Sequence, residues 1–186
     1  MRIAIDIDST LHHYWEQFSE VVRRRYGVDL PYEGQTTWAI ERLDPEQVRV
    51  SILDTHTEPY IAAAEPYPGA VEVVNGWHAD GHFIHITSHR TSEAHAATER
   101  WLEAIGLRYD DLHCSWDKLA RCREIGIDIL IDDSPVNLAG ALEAGITGAT
   151  LRHPWNREIC LAEPIVAADD WPGLGLALAP LLHRGA

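Results

Sequence analysis

The segment IAIDIDST at residues 3–10 carries an apolar run that ends in two closely spaced carboxylates. The run from Ile3 to Ile7 predicts a buried strand, with Asp6 and Asp8 at its carboxyl end. Ligands of open α/β sheets bind at this end of the strands. Two carboxylates this close repel each other unless a cation or a shared proton relieves them, which favours a hard divalent metal. An acidic turn after a strand is the alternative for an isolated Asp-x-Asp, so the rest of the chain must decide.

Beyond this segment, predicted strands alternate with predicted helices. Strands are predicted at 3–7, 82–87, 109–113, 127–131 and 146–151, and helices at 12–26, 45–54, 68–79, 91–105, 117–125 and 135–144. Such alternation implies parallel strands, right-handed crossovers and helices on both faces of the sheet. The sequence therefore predicts an α/β fold with three layers and a Rossmann-like parallel sheet.

The region between the first two predicted strands has a different character. Residues 28–66 contain four prolines between short helical patterns and show no convincing strand. Together with the helix at 12–26, this region predicts a small helical cap, residues 12–66, inserted after strand 1. The α/β core would then comprise residues 1–11 and 67–186. A cap in this position would lie over the carboxyl end of the sheet, where it could exclude water and select the substrate.

Composition limits the kinds of partner that the chain can bind. Its 186 residues are 46% hydrophobic, enough for one domain with a small insertion. The formal net charge of −14 argues against a nucleic-acid polymer as partner. No apolar segment is long enough to be a signal peptide or to enter a membrane. The three cysteines have no Cys-x-x-Cys spacing, which predicts reduced, buried thiols and a cytoplasmic protein.

Four polar clusters follow predicted strands or begin the next helix. They are Asp6-Ile7-Asp8, Thr87-Ser88, Lys118 and Asp132-Asp133. Lys118 is the only lysine among 15 basic residues, and a compact ammonium is not interchangeable with a guanidinium. All strand ends of a parallel sheet share one edge, so the four clusters can converge. Carboxylates can hold Mg²⁺, a hydroxyl and an ammonium can hold phosphate oxygens, and one carboxylate can attack phosphorus. The set therefore predicts a phosphoryl-transfer site.

These clusters resemble the four motifs of the haloacid dehalogenase (HAD) superfamily of phosphatases. The matching stretches are DIDST at 6–10, ITS at 86–88, Lys118 and ILIDDSPVN at 129–137. The stretches ITSHR at 86–90 and LRHPWNR at 151–157 further resemble the 5′(3′)-deoxyribonucleotidases, the type C cytosolic 5′-nucleotidases. The resemblance implies a HAD core and a phosphomonoesterase whose partner is a small phosphorylated metabolite, most simply a (deoxy)nucleoside 5′-monophosphate.

The resemblance also implies a role for each motif residue. Asp6 would be the nucleophile that forms an aspartyl-phosphate, and Asp8 the acid and then the base. The phosphate-binding residues would be Thr87, Ser88 and Lys118. The Mg²⁺ ligands would be the Asp6 carboxylate, the Asp8 backbone carbonyl and Asp133, with Asp132 as a further ligand or an anchor beside them. Ser9 occupies a turn position where the family usually has glycine or another small residue.

Residues outside the motifs are candidates for contacts with the substrate. Trp38 and Trp15 could stack on a nucleobase, although core packing is the alternative for each tryptophan. Arg90 and Arg157 could donate hydrogen bonds to a base or a sugar, although a solvated arginine is the alternative for each. His12 lies close enough after the first motif to reach the mouth of the site, but Mg²⁺ prefers oxygen ligands.

Two other functions remain open from the residues alone. A phosphatase for a sugar phosphate or another small phosphoester would use the same site with a different cap. A receiver-like regulatory domain would accept a phosphoryl group as a signal with a similar set of residues. The receiver interpretation expects its aspartate on a middle strand and no insertion of this length, so it ranks below the enzyme. A homodimer is compatible with either function.

Overall fold

A buried apolar strand forms the centre of the fold, and the structure, a computed structural model, describes residues 1–183. The strands are β1 (Arg2–Ile5), β2 (Phe83–Ser88), β3 (Asp111–Cys114), β4 (Ile129–Ile131), β5 (Thr147–Leu151) and β6 (Val166–Ala168). They form one sheet in the order β3-β2-β1-β4-β5-β6, and every neighbouring pair is parallel. Because β1 pairs with both β2 and β4, the chain order reverses direction beside β1. In such sheets this switch point is where ligands bind.

Nine α-helices connect the strands or form the insertion within residues 1–183. They are α1 (Tyr14–Tyr26), α2 (Pro45–Thr55), α3 (Glu58–Ala62), α4 (Ala70–Ala79), α5 (His95–Ala104), α6 (Lys118–Glu124), α7 (Pro135–Glu143), α8 (Arg157–Ala162) and α9 (Trp171–Leu182). Alternate residues of β1 contact different apolar clusters. Ile3 and Ile5 belong to one cluster with Trp171, whereas Ala4 belongs to another with Cys122. Both faces of the sheet are therefore covered, and the predicted three-layer α/β fold is confirmed.

The predicted elements are confirmed, with shifts of one or two residues at most of their ends. The first strand ends at Ile5 rather than Ile7, although the Asp6 N–H still donates to the Ile131 carbonyl at 2.9 Å. The predicted helix at 91–105 begins with a 3₁₀ turn at Ser92–Ala94. Three elements near the carboxyl terminus, α8, β6 and α9, were not predicted.

Burial of the cysteines was predicted correctly for one of the three residues. Cys122 is fully buried, whereas Cys114, on the edge strand β3, and Cys160, on α8, are partly exposed. All three thiols are free, as predicted. Within residues 1–183, no helix combines the length and the apolar character that crossing a membrane would require.

The helical insertion joins the core through two chain segments that lie side by side. His12 forms bridges with both Asp8 and Pro66. The Tyr67 N–H donates to the Leu11 carbonyl at 2.8 Å, and the His13 N–H donates to the Glu65 carbonyl at 3.2 Å. We call these paired segments, residues 8–13 and 65–67, the neck. The predicted division into a cap at 12–66 and a core stays a prediction, and the neck lies at its proposed boundary.

Helix α9 contacts the loop that follows β1. Trp171, at the start of α9, is completely buried, and its indole Nε1 donates to the Thr10 carbonyl at 2.8 Å. Its ring lies 6.0 Å from that of Trp77 on α4. A buried indole that is both packed and hydrogen-bonded fixes its surroundings firmly. Trp171 therefore holds in place the loop that carries the first motif.

Replacing Gly69 with alanine should destabilise the fold through this same region. Gly69 has φ +81°, and a Cβ there would lie 2.9 Å from the ring of Pro172 at the start of α9. We expect Gly69→Ala to lower the free energy of unfolding by about 2–4 kcal/mol, from left-handed strain plus overpacking. Gly81→Ala is the matched control, because Gly81 has φ +84° with open space around it. Denaturant unfolding of both variants measures the steric contribution, and equal losses would contradict it.

Candidate active site

Three buried carboxylates meet where β1 and β4 end. Asp6, Asp132 and Asp133 each offer an oxygen within 4.8 Å of the others. The Lys118 ammonium, at the start of α6, donates to Asp6 Oδ1 at 2.5 Å and to Asp132 Oδ2 at 2.7 Å. Lys118 is only 1% exposed. Three of the four predicted clusters are thus brought into direct contact from distant parts of the chain.

Negative charge exceeds positive charge in this group. Burial, together with repulsion from Asp132 and Asp8, raises the pKa of Asp6 to about 7, even though Lys118 opposes the shift. Burial and the charges of Asp6 and Asp132 hold the pKa of Asp133 well above its usual range. Burial alone would lower the pKa of Lys118, but Asp132 and Asp6 outweigh it and raise that pKa. The ammonium is therefore charged, and the carboxylates still lack full compensation.

These residues fit a hard divalent cation. Oxygen atoms of carboxylates are the ligands that Mg²⁺ and Ca²⁺ prefer. One oxygen from each of the three carboxylates already lies within 4.8 Å of the other two. A cation here would also relieve the repulsion that raises the pKa values of Asp6 and Asp133. Asp8 contributes no side-chain oxygen to the group, so its predicted role as a ligand is left to its backbone carbonyl.

Asp132 is the most firmly held of the three carboxylates. Its Oδ1 accepts from the Ser134 N–H at 2.9 Å, and Asn137 Nδ2 donates to both of its oxygens at 3.1 Å. Ser134 also caps helix α7 by accepting from the Asn137 N–H. Among residues 1–183, Asp133 is held at one carboxylate oxygen only, since its Oδ2 accepts from the Trp155 indole at 3.1 Å. This contrast suits Asp132 to anchoring Lys118 and Asp133 to ligating a cation.

The turn after Asp8 uses a left-handed residue. Ser9 has φ +59° and is the only non-glycine residue with positive φ among residues 1–183. A left-handed L-residue costs roughly 1–2 kcal/mol, which explains why a glycine suits this position. His153 holds the turn by donating from Nε2 to the Ser9 carbonyl at 2.8 Å, while its Nδ1 accepts from Tyr32 at 2.8 Å. Burial lowers the pKa of His153 to about 4, so the imidazole ring is neutral and carries its single proton on Nε2.

Both hydroxyls of the second motif lie at the end of β2, beside the first motif. Thr87 is fully buried, and its Oγ1 has no hydrogen-bond partner within residues 1–183. Ser88 Oγ donates to Asp8 Oδ2 at 3.3 Å and accepts from the Arg90 N–H at 3.2 Å. A buried hydroxyl without a partner is rare, which would suit a ligand contact, but Thr87 lines neither of the two cavities described below. The phosphate-binding roles of Thr87 and Ser88 stay predictions.

Asp8 lies apart from the other carboxylates, among cationic and hydrogen-bonding groups. Arg90 Nη2 donates to Asp8 Oδ1 at 2.7 Å, and His12 Nε2 lies 2.9 Å from the same oxygen. His56, at the end of α2 in the insertion, places Nε2 at 3.4 Å from Oδ2. Burial would raise the pKa of Asp8, but the Arg90 charge and the hydrogen bonds from His12 and His56 hold it well below its usual range.

Two adjoining cavities open at this end of the sheet. The smaller, about 200 Å³, contains Asp6, Asp8 and Lys118. The larger, about 320 Å³, lies between the insertion and the core and has mostly apolar walls. Its aromatic lining consists of Tyr14, Trp15, Phe18, Trp38 and Trp155. Because Trp38 and Tyr14 line both cavities, a molecule could occupy them together, with its charged end among the carboxylates.

The predicted substrate contacts have different positions in the structure. Trp38 is 48% exposed and lines both cavities. Trp15 is buried against Trp155, with ring centroids 5.3 Å apart, so it both packs and forms part of a cavity wall. Arg157 is exposed at the start of α8 and lines neither cavity. Arg90 is 1% exposed and faces Asp8 from the buried side, because its hydrogen bonds are made within the core. The geometry thus supports Trp38 but offers no such support for the two arginines.

Sequence reasoning missed several residues at the site. His56, Asn137 and Trp155 contact Asp8, Asp132 and Asp133 respectively. For Asn137 a signal existed, since it lies one helical turn after Ser134 at the start of a capped helix. His56 is separated from Asp8 by the whole of α1 and α2, and no local pattern indicates that they meet.

Comparison with known proteins relates this chain to 5′-nucleotidases. Residues 1–173 match the family model described as 5′ nucleotidase, deoxy (pyrimidine), cytosolic type C protein. A Chlorobaculum tepidum protein provisionally named a 5′(3′)-deoxyribonucleotidase is 25% identical over 169 residues, covering 84% of this chain and 81% of its own. A Bacillus cereus protein provisionally named a nucleotidase is 24% identical over 152 residues, covering 74% and 79%.

The fold also has solved counterparts. The crystal structure of a HAD family hydrolase from Deinococcus radiodurans, with bound phosphate and sodium, has a TM-score of 0.68 and covers 99% of this chain and 96% of its own, at 17% identity. A HAD-like hydrolase from Streptococcus pneumoniae has a TM-score of 0.67 at 14% identity, covering 98% and 97%. The fold and the family model lead to one assignment. The chain belongs to the cytosolic type C 5′-nucleotidase family and has a HAD-like fold.

Proposed function

We propose that this phosphatase hydrolyses a (deoxy)nucleoside 5′-monophosphate with Mg²⁺ bound at its carboxylates. The observation that carries the proposal is the pairing of cavities: an apolar, aromatic-walled space of about 320 Å³ adjoins the space that contains Asp6 and Lys118. Pockets of this size and lining suit a flat, mostly apolar group held by a few polar contacts. A nucleoside attached to a phosphate has this combination of a planar base and a dianionic end.

Asp6 is the proposed nucleophile. Its oxygen attacks phosphorus, the bond from phosphorus to the leaving oxygen breaks, and an aspartyl-phosphate forms. Arg90, His12 and His56 hold the pKa of Asp8 low in the protein without substrate, so Asp8 must take up a proton as the phosphate binds beside it. It gives that proton to the leaving alkoxide, then takes a proton from the water that hydrolyses the aspartyl-phosphate, so that phosphate is released and Asp6 is regenerated. Lys118, 2.5 Å from Asp6 Oδ1, neutralises charge on the phosphoryl oxygens as they approach. These roles follow the family motifs and are compatible with the contacts.

Asp6, Asp133 and the Asp8 backbone carbonyl are the proposed Mg²⁺ ligands, with Asp132 beside them. When bound, Mg²⁺ supplies positive charge between a carboxylate nucleophile and a dianionic substrate that would otherwise repel each other. The excess of buried carboxylates over ammonium groups supports this assignment. The family is named for cytosolic proteins, which supports the predicted cytoplasmic location. The homodimer stays a prediction.

The helical insertion is proposed to act as the cap that selects the leaving group. Tyr14, Phe18 and Trp38 come from the insertion, whereas Trp155 comes from the core, so a bound base would contact both parts. An aromatic wall accepts any base, because every base has a flat face. A sugar phosphate would fill the charged cavity but leave the aromatic one empty, so the cavity pair favours the nucleotide.

Phosphate release from a panel of substrates tests the proposal. We expect Mg²⁺-dependent turnover of nucleoside and deoxynucleoside 5′-monophosphates above that of sugar phosphates, and loss of turnover with EDTA. Trp38→Ala should raise KM for nucleotides roughly tenfold through lost stacking. The same variant should raise KM for a small sugar phosphate much less, since such a substrate has no base to stack on Trp38.

The outcomes separate the parts of the proposal. Turnover confined to sugar phosphates would reject the nucleotide while retaining the reaction. Full activity in EDTA would reject the metal. A phosphorylated but non-hydrolysing protein would favour the receiver-like function. Leu161→Ala is the matched control for Trp38→Ala, because Leu161 is 87% exposed and lines neither cavity.

A further inference from the structure

The two oxygens of Asp8 are held unequally. Oδ1 has short contacts, 2.7 Å to Arg90 Nη2 and 2.9 Å to His12 Nε2. Within the described part of the chain, Oδ2 has only longer contacts: 3.3 Å to Ser88 Oγ, 3.3 Å to Arg90 Nε and 3.4 Å to His56 Nε2. Hydrogen bonds weaken beyond about 3.2 Å, so Oδ1 is anchored and Oδ2 is held loosely. A carboxylate that must exchange a proton needs one oxygen that is free to do so.

Arg90 anchors Oδ1 from a place that the substrate cannot reach. Its side chain is 1% exposed and lines neither of the two cavities, whereas the Asp8 side chain is 17% exposed and lines the smaller one. The guanidinium is fixed on its other side by Nη1, which donates to Thr98 Oγ1 on α5 at 3.2 Å. It therefore cannot turn towards a base or a sugar without leaving both partners.

His12 completes the anchor as a neutral side chain. Its Nε2 lies 2.9 Å from Asp8 Oδ1 and 3.2 Å from Arg90 Nη2; the shorter contact, to a carboxylate, requires the proton on Nε2, and Nδ1 is buried without a partner within residues 1–183. A protonated ring would leave a buried N–H without an acceptor, which is costlier than a bare ring nitrogen. The neck holds His12 through its bridges to Asp8 and Pro66. Both groups that grip Oδ1 are thus rigidly placed.

From this asymmetry we infer that Arg90 is a positioning residue, which fixes Asp8 through Oδ1 so that Oδ2 faces the leaving oxygen and the attacking water. The inference rests on the proposed function only in giving Asp8 the acid–base step. It replaces the predicted contact of Arg90 with a base or sugar. This positioning role requires a guanidinium, because Arg90 contacts Asp8 Oδ1 through Nη2 and Asp8 Oδ2 through Nε. A single ammonium group cannot make both contacts in this geometry.

Arg90→Lys tests the inference because it keeps the buried positive charge and removes the fork. On a phosphomonoester with an alkoxide leaving group, such as β-glycerophosphate, kcat should fall about 100-fold, the loss typical of a misplaced catalytic group. KM should change by less than about threefold, because Arg90 does not touch substrate. With p-nitrophenyl phosphate and enzyme in excess, the single-turnover release of nitrophenol should fall less than about threefold, because that leaving group needs no proton.

Arg123→Lys, on the exposed surface of α6, is the control for the chemical change and should leave both rates unchanged. A KM increase with kcat unchanged would mean that Arg90 binds substrate, and equal losses with both leaving groups would mean a merely structural role; either result overturns the inference. If Arg90→Lys does not fold, His12→Gln carries the test and should show the same dependence on leaving group. Failure of the nucleotide assignment would appear separately, in the wild type, and leaves this comparison intact.

Discussion

Asp6→Asn should abolish phosphate release, by about 10⁴-fold or more, since an amide cannot form the covalent intermediate. The same substitution should not weaken the fold. Asp6 is buried beside two other carboxylates, and its pKa is raised to about 7 chiefly by burial. Because that folded-state pKa lies above the unfolded value, the charged form costs stability as pH rises through 7. The neutral amide of the variant escapes that cost, so in metal-free buffer at about pH 8 its Tm should equal or exceed that of the wild type.

Activity and Tm must be measured together to interpret this variant. Asp128→Asn is a suitable control, because Asp128 also lies beside β4 but accepts from the Arg2 N–H at the opposite end of the sheet, at 2.7 Å. It should retain turnover. Wild-type turnover in Asp6→Asn would refute the covalent mechanism, and a large fall in Tm would refute the charge excess inferred at the site.

Lys118→Met should impair both activity and stability. The substitution keeps the length of the side chain but leaves Asp6 and Asp132 buried without the ammonium that lies 2.5 Å and 2.7 Å from them. Removing one partner of a buried ion pair costs about 3–5 kcal/mol, so the unfolding free energy should fall by that amount. Turnover should fall about 10²–10³-fold through the loss of charge near the phosphoryl oxygens. Denaturant unfolding and phosphate release give the two values.

Added Mg²⁺ should separate these two effects. A cation at the carboxylates binds only the folded state and therefore stabilises it. We expect Mg²⁺ to raise the Tm of Lys118→Met by more than that of the wild type, while turnover stays low. Lys118→Arg keeps the charge in a larger, planar group and should lose activity with a smaller loss of stability. Wild-type stability in Lys118→Met without metal would contradict the central place given to this ion pair.

Much of the sheet could be predicted because its strands carry their own signal. Apolar runs such as Ile129–Ile131 are followed directly by carboxylates, and a parallel sheet brings all such ends to one edge. The convergence of Asp6, Lys118 and Asp132 could therefore be predicted from the order of strands and helices alone. The lone lysine also gave a usable signal, since its ammonium lies between two carboxylates, 2.5 Å and 2.7 Å away.

The carboxyl-terminal elements could not be predicted in the same way. Strand β6 is three residues long, and α9 has the sequence WPGLGLALAPLL, with two glycines and an internal proline that disfavour a helix. Tertiary packing stabilises α9 instead, since Trp171, Leu174 and Leu178 are fully buried in the core. Such elements form because they bury apolar side chains against the rest of the fold. The local sequence pattern does not show that this surface is present.

The buried position of Arg90 also could not be predicted from the sequence. A cation next to a phosphate-binding motif suggests a ligand contact, and that was the prediction. Whether the side chain faces the cavity or the core depends on the path of the loop after β2 and on Thr98, one element further on. His56 depends in the same way on how the insertion folds back over Asp8. Contacts made between layers are set by packing rather than by local periodicity.

The neck has a consequence for how proteins of this kind can diversify. Its two segments run side by side, joined by the hydrogen bonds between Tyr67 and Leu11 and between His13 and Glu65. The insertion therefore starts and finishes at almost one point on the core, the arrangement in which inserted domains are best tolerated. The insertion can therefore be replaced by a different insertion, in evolution or by design, while the pairing register of β1 and β2 is kept. With the selective role proposed for the insertion, the reaction and the choice of substrate would be encoded by separable parts of one polypeptide.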